Sequence, residues 1–392
     1  MSRRPLAAIL LVSCAHLLLE IFHQYLPVVY PLLLTKFDLS FAQIGAMALV
    51  ATTTSSIAQP LFGYFTDRWD ARRVVAFSVL WLGLLMGLVG LAGSYWTLLG
   101  IVALAGLGSA AFHPAGAAVV SKATHGLKGL AVSLFSVGGN LGSALSPVLM
   151  AVGLAAFGLG GTVILLPLAL LAGGLLYWSL GREDAGEQAA HRKSQADAGP
   201  GFGLGLILLV LAVMARSWFQ FSLSSYLPVW LEGQGRTVAE GAQMLFLLSL
   251  CVGLGSLAGG TLSDRVGRWQ VLLVCLALLS PLYWFYLNSD GVSQAVFLGG
   301  MGFLLGCTYP TAVVLAQEVW PRGLALASGL VMGLGWWPGG VGASVTGLLA
   351  DRIGLDGALR WLLIAPVLGA LCMAGFVVAQ RQRVIEINSR YF

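Results

Sequence analysis

Long apolar runs alternate along this chain with short polar punctuation. Apolar runs of about 20 residues are long enough to span a bilayer. They recur at residues 5–34, 41–66, 73–93, 95–121, 128–152, 154–181, 202–231, 238–263, 269–288, 291–318, 323–350 and 357–381. A bilayer core offers no water to satisfy free backbone groups, so segments of this kind are expected to be helices. The pattern therefore predicts an all-α integral membrane protein with twelve spans, numbered here in chain order. The first run is longer than a signal-peptide core and lacks a small-residue cleavage pattern, so it is expected to stay in the mature chain.

Composition agrees with the pattern. Hydrophobic residues make up 58% of the 392 and charged residues 9%, with a mean hydropathy of +0.87, against about 25% charged residues in ordinary soluble domains. With the N-terminus placed in the cytoplasm, sixteen of the 21 Lys and Arg residues fall in cytoplasmic segments. Four (Lys36, Arg236, Arg352, Arg360) fall in outer loops, and Arg216 lies inside span 7. The positive-inside rule then puts both termini in the cytoplasm of a cell whose inner (plasma) membrane holds the chain. The net charge of +5 reports this topology and implies no nucleic-acid partner. Cys14, Cys251, Cys275, Cys307 and Cys372 all fall in spans without a CxxC pair, so they read as packing residues.

The two halves echo one another. Residues 63–73 read GYFTDRWDARR and residues 260–268 read GTLSDRVGR, each where an even-numbered span ends, and Asp67 and Asp264 differ by 197 in a chain of half-length 196. YLPV occurs at Tyr25–Val28 and Tyr226–Val229, and GLA opens spans 5 and 11 at Gly129 and Gly323. A repeat of this length predicts two pseudo-symmetric six-helix bundles, residues 1–181 and 201–392, joined by a polar linker at 182–200.

Twelve spans in a six plus six arrangement with a duplicated G-x-x-x-D-R loop resemble the major facilitator superfamily. Within it, CAHLLLE at 14–20, LSFAQIG at 39–45, FHPAG at 112–116 and SLFSVGGNLGSALSP at 133–147 are similar to the fosmidomycin-resistance type of efflux transporter. The resemblance implies that Asp67, Arg68, Arg72, Asp264, Arg265 and Arg268 form a cytoplasmic gate, latched in the outward-open state. The first loop departs from the pattern, carrying Asp70 where the second carries Gly267. The two aspartates are expected to accept backbone N–H bonds at a neighbouring helix N-terminus, and the arginines to meet Glu318 or lipid phosphates.

Charges inside spans carry the remaining information, because an acidic or basic side chain at a helix centre costs about 2.5–3.5 kcal/mol on insertion scales. Glu20 in span 1 and Arg216 in span 7 bear that cost. His16, Glu20, His23 and Gln24 share one face of span 1, and Arg216, Gln220 and Ser224 one face of span 7. If the two spans are symmetry mates, a carboxylate and a guanidinium stand at nearly the same depth. Two readings stay open: a structural ion pair, or a site at which Arg216 binds an anion and Glu20 a proton. In span 4, His113 precedes Pro114, and in span 10 Tyr309 precedes Pro310. The paired prolines predict paired kinks, while His113 is open both to proton handling and to a fixed hydrogen bond. Span 5 aligns Ser133, Ser136, Asn140 and Ser143 on one face, with Asn140 the best candidate contact. Trp218, Trp336 and Trp337 lie mid-span and are candidate cavity walls.

No nucleophile with a base, metal-ligand motif or phosphate loop stands out, so neither an enzyme nor a cofactor is expected. The expected function is a secondary transporter exporting a small anionic, drug-like molecule by proton-coupled antiport and alternating access. The substrate-binding set is Glu20, Gln24, His113, Asn140, Arg216, Trp218, Gln220, Tyr309 and Trp336, and the proton-coupling set is Glu20, His113, His23 and His16. Expected partners are the small-molecule substrate, protons and membrane lipids, with the protein acting as a monomer. A proton-coupled importer of an organic anion or sugar is the alternative, and a membrane scaffold or sensor a third.

Overall fold

The computed structural model describes residues 3–66, 69–123, 128–180, 203–320 and 324–389. Ten continuous apolar stretches in it are long enough to cross a membrane. One of these, Ser133–Leu180, holds parts of two spans, and the helix Leu324–Ile353 supplies span 11, so all twelve expected spans are helical.

Proline and glycine decide where the spans break. Span 1 is two helices, Arg3–His23 and Leu26–Phe37, the second beginning at a Leu-Pro pair. Span 2 breaks between Phe41–Ile57 and Gln59–Thr66 just ahead of Pro60, after opening with a capping box in which Ser40 and Gln43 satisfy each other's amides. The expected start of span 6 at residue 154 is corrected. Helix Lys128–Phe157 runs on, Gly158 turns at φ +56°, and a 3-10 segment, Gly158–Ile164, precedes the short helix Leu165–Leu180. Only glycine takes that φ readily. Span 12 likewise gains a separate short helix, Leu355–Trp361, before Ile364–Ser389.

The described chain divides into two compact units. One is Met1–Gln195 with Ser224–Leu250, the other Ala196–Leu223 with Cys251–Phe392. In the first, span 1 packs along span 5, and span 3 against spans 4 and 6. In the second, span 9 packs against spans 10 and 12. The repeat thus reproduces the arrangement of spans 3, 4 and 6 six spans later. The expected linker, 182–200, lies outside the described residues.

Lipid tails are as apolar as leucine, so helices in a bilayer associate by close packing and hydrogen bonds. The span 1 to span 5 seam follows this rule. A Cβ on Gly138 would strike the Ser13 carbonyl, one on Gly139 the His16 ring, and one on Gly142 would come within 2.9 Å of Glu20 Cβ. The glycines therefore let span 5 lie directly against the polar face of span 1. The second unit repeats the device, with Gly339 under Phe221 and Gly342 under Trp218 of span 7. Ser146 donates to the Ile21 carbonyl at 2.6 Å, and its repeat counterpart Thr346 bonds Ser222 at 2.9 Å and Trp218 Nε1 at 3.0 Å.

The two loops of the repeat differ for a reason visible in the backbone. Gly267 stands at φ +109°, closed to most side chains, whereas Asp70 stands at φ −70°. Asp70 therefore needs no glycine, and its carboxylate caps the third span by accepting the Arg72 and Arg73 amides.

Candidate functional site

In the first unit, span 1 carries His16, Glu20 and Gln24 on successive turns, and spans 4 and 5 bring their partners. Glu20 is buried. Its Oε2 accepts from Gln24 Nε2 at 2.9 Å and from Ser143 Oγ at 3.2 Å. Its Oε1 faces two imidazoles, with His16 Nε2 at 3.6 Å and His113 Nε2 at 4.0 Å. His16 Nδ1 lies 2.8 Å from the Phe135 carbonyl oxygen. A carbonyl only accepts, so Nδ1 carries the hydrogen and Nε2 is left toward the carboxylate. Phe135 also stacks on the His16 ring at 4.2 Å, and His113 meets the same ring edge-on at 5.4 Å. His113 precedes Pro114 inside the continuous helix of span 4, and Ser109 Oγ lies 3.3 Å from its Nε2.

Of the residues that sequence alone put on this face, His16, Glu20, Gln24, His113 and Ser143 come together. His23 is half-buried where the first helix of span 1 ends and makes no hydrogen bond among the described residues. Asn140 is likewise half-buried without a hydrogen bond among the described residues, and the span 5 contact to Glu20 is made by Ser143, one turn further on. Phe112, Phe135 and Ser109 belong to the cluster without having been foreseen, because apolar rings and one serine in an apolar span leave no signal in the sequence.

In the second unit the buried charge is Arg216. Its Nε donates to Thr308 Oγ1, and Nη2 donates to the Leu305 carbonyl at 3.0 Å. The Thr308 hydroxyl itself donates to that carbonyl at 2.6 Å, leaving its lone pairs for the guanidinium. Tyr309 lies under Arg216 with ring centroid and Cζ 5.5 Å apart, a cation–π contact. Trp336 donates to the Tyr309 hydroxyl at 2.9 Å and meets Phe221 edge-on at 5.5 Å. Pro310 lies inside the helix of span 10. It has no N–H for the Gly306 carbonyl, which accepts instead from Ser256 of span 8 at 3.3 Å. Trp218 is half-buried, donates to Thr346 Oγ1 at 3.0 Å and lies against Gly342. Gln220 is half-buried without a hydrogen bond among the described residues, and Trp336 is 42% exposed. Each intramembrane charge therefore has its own partners inside its own unit, His16, Gln24, Ser143 and His113 for Glu20, and Thr308, Leu305 and Tyr309 for Arg216.

The expected gate is placed in part. Asp67 and Arg68 lie outside the described residues. Arg72 donates to the Leu180 carbonyl at 3.4 Å. Asp264 has an ion-pair partner among the described residues. It pairs with Arg268, one turn along at 3.2 Å, and Arg268 also reaches Glu318 at 2.9 Å, so spans 8, 9 and 10 are tied together. Arg265 is exposed.

Twelve spanning helices built on a repeat, with charges buried inside each unit, define a multi-pass transporter of small molecules. The Major Facilitator Superfamily family model matches residues 12–330, and the chain belongs to that superfamily. It is 32% identical to the fosmidomycin resistance protein of Escherichia coli (strain K12) over 375 residues, covering 92% of this chain and 90% of that protein. It is 30% identical to YfnC of Bacillus subtilis (strain 168), an uncharacterized MFS-type transporter, with coverage of 97% and 95%. A bacterial homolog of the human lysosomal transporter Spinster, solved in an inward-facing and occupied conformation, shares the fold. Its TM-score is 0.79 at 17% identity over 95% of this chain and 96% of that one.

Proposed function

We propose that the protein exports a small anionic, drug-like molecule across the inner membrane in exchange for protons, by alternating access. The observation that carries this reading is the pair of separately partnered, buried charges, Glu20 and Arg216. Arg216 is the anion group: a guanidinium presents parallel N–H donors that match a carboxylate or phosphonate, and the Tyr309 and Trp336 rings beside it suit an apolar body. Glu20 is the proton group. Its Oε1 faces two imidazole nitrogens at 3.6 and 4.0 Å, an arrangement of acceptors that a proton stabilises. The export direction rests on the similarity to the fosmidomycin resistance protein. The halves 1–181 and 201–392 are the units that alternate, with both termini and the 182–200 linker in the cytoplasm. A single chain, surrounded by lipid, is sufficient for the cycle.

The test is substrate-dependent proton flux in proteoliposomes holding purified protein. Wild type should move protons opposite to substrate, and Glu20→Gln should remove that flux while the protein remains folded and inserted. Unaltered flux in Glu20→Gln vesicles sinks the assignment of Glu20, and protons moving with the substrate would identify an importer.

A further inference from the structure

We infer that His16, Glu20 and His113 form a binding site for a divalent transition-metal ion of the Zn²⁺ type, separate in kind from the anion and proton chemistry proposed above. The three donor atoms, one from each residue, lie within 4.8 Å of one another. Two imidazole nitrogens and one carboxylate oxygen are ligands suited to Zn²⁺, Co²⁺ and Ni²⁺, and poorly suited to Mg²⁺ or Ca²⁺, which prefer all-oxygen sites.

Three features of the cluster go beyond mere proximity. The His16 tautomer is fixed, because Nδ1–H donates to the Phe135 carbonyl at 2.8 Å, the outer-shell arrangement by which metal-ligating histidines are oriented. The two oxygens of Glu20 are divided in role. Oε2 is taken by Gln24 and Ser143, whereas Oε1 points at both Nε2 atoms. The spacing is also near what a metal needs. Bonds of about 2.0–2.1 Å at a tetrahedral ion set neighbouring donors about 3.3 Å apart, against 3.6 and 4.0 Å for the two carboxylate–imidazole pairs and up to 4.8 Å across the set here. Side-chain movement closes the set, and His113, next to Pro114 and the more exposed of the two histidines at 32% against 12%, supplies it. Three protein ligands leave the fourth tetrahedral position open to water or to an oxygen of a bound anion.

The metal and the proton would use the same lone pairs, so ion binding is read apart from transport. Full-length protein in detergent, stripped with a chelator, is titrated with Co²⁺ and followed by its visible absorption. One Co²⁺ per chain, with the intense bands of a four-coordinate ion and displacement by Zn²⁺, is expected. Glu20→Gln and His113→Asn should each weaken binding at least about tenfold. Wild-type protein without the bands, or either variant with wild-type affinity, overturns the inference. Where a variant does not fold, diethyl pyrocarbonate labelling of wild type replaces it: Zn²⁺ should protect His16 and His113, and equal labelling with and without Zn²⁺ overturns the site. Proton flux measured in chelator keeps the two proposals distinguishable, since either can fail while the other stands.

Discussion

At the scale of single residues, Arg216 and Glu20 show how a membrane protein keeps charge where hydrocarbon disfavours it. Arg216 is surrounded by a hydroxyl, a carbonyl and an aromatic face, so it is held in place with its charge uncancelled by any of the three. That is the condition for binding an anion. Arg216→Lys keeps the charge but loses the planar fork, and hydrogen bonds to charged groups are worth about 1.5–3 kcal/mol each. Binding of an anionic substrate should therefore weaken by about 10–100-fold in Arg216→Lys and further in Arg216→Ala, measured by equilibrium binding to the purified variants. Equal affinity in Arg216→Lys would falsify the clamp. Glu20 is held differently: its donors occupy one oxygen and leave the other facing two imidazole nitrogens.

Among the elements, the seam between spans 1 and 5 decides whether the cluster exists. Spans 1 and 5 approach closely because Gly138, Gly139 and Gly142 have no side chain at the contact. This closeness is what lets Ser143 reach Glu20 and the Phe135 carbonyl reach His16. Gly142→Ala should destabilise the protein by about 1–3 kcal/mol, as overpacking does, and also displace Glu20 from Ser143. Gly174→Ala in span 6 is the control. Nothing lies within 4 Å of a Cβ there, and alanine is the better helix former. Thermal unfolding in detergent should show a clear loss for the first and none for the second. Equal behaviour of the two means that the seam tolerates a methyl group and the packing account fails.

For the molecule as a whole, the duplicated loops are the features that connect local bonds to the transport cycle. Arg268 ties Asp264 to Glu318 within the second unit, so neutralising the aspartate loosens the ends of spans 8, 9 and 10 together. In the proposed cycle, Asp264→Asn with Asp67→Asn should shift the population toward the state open on the side that bears both loops. Cysteine-accessibility labelling from that side should rise in the double variant relative to wild type, and no gain in labelling counts against a latch.

The sequence by itself determined the number of spans, the repeat and the identity of both intramembrane charges. Each follows from a strong local rule: hydrocarbon demands about 20 apolar residues per helix, and a charge placed inside such a run is conspicuous because it is costly. His16, Glu20 and Gln24 were legible as one face because a helix repeats every 3.6 residues. Tertiary structure alone decided which residues complete that face. His113 arrives from span 4, some 93 positions beyond Glu20, and Ser143 from span 5, because the glycine contacts let span 5 lie directly against span 1. Periodicity places a residue on its own helix only. Thr308 and the Leu305 carbonyl were equally hidden, since a backbone oxygen has no letter in the sequence and becomes a ligand for Arg216 only when span 10 is packed against span 7.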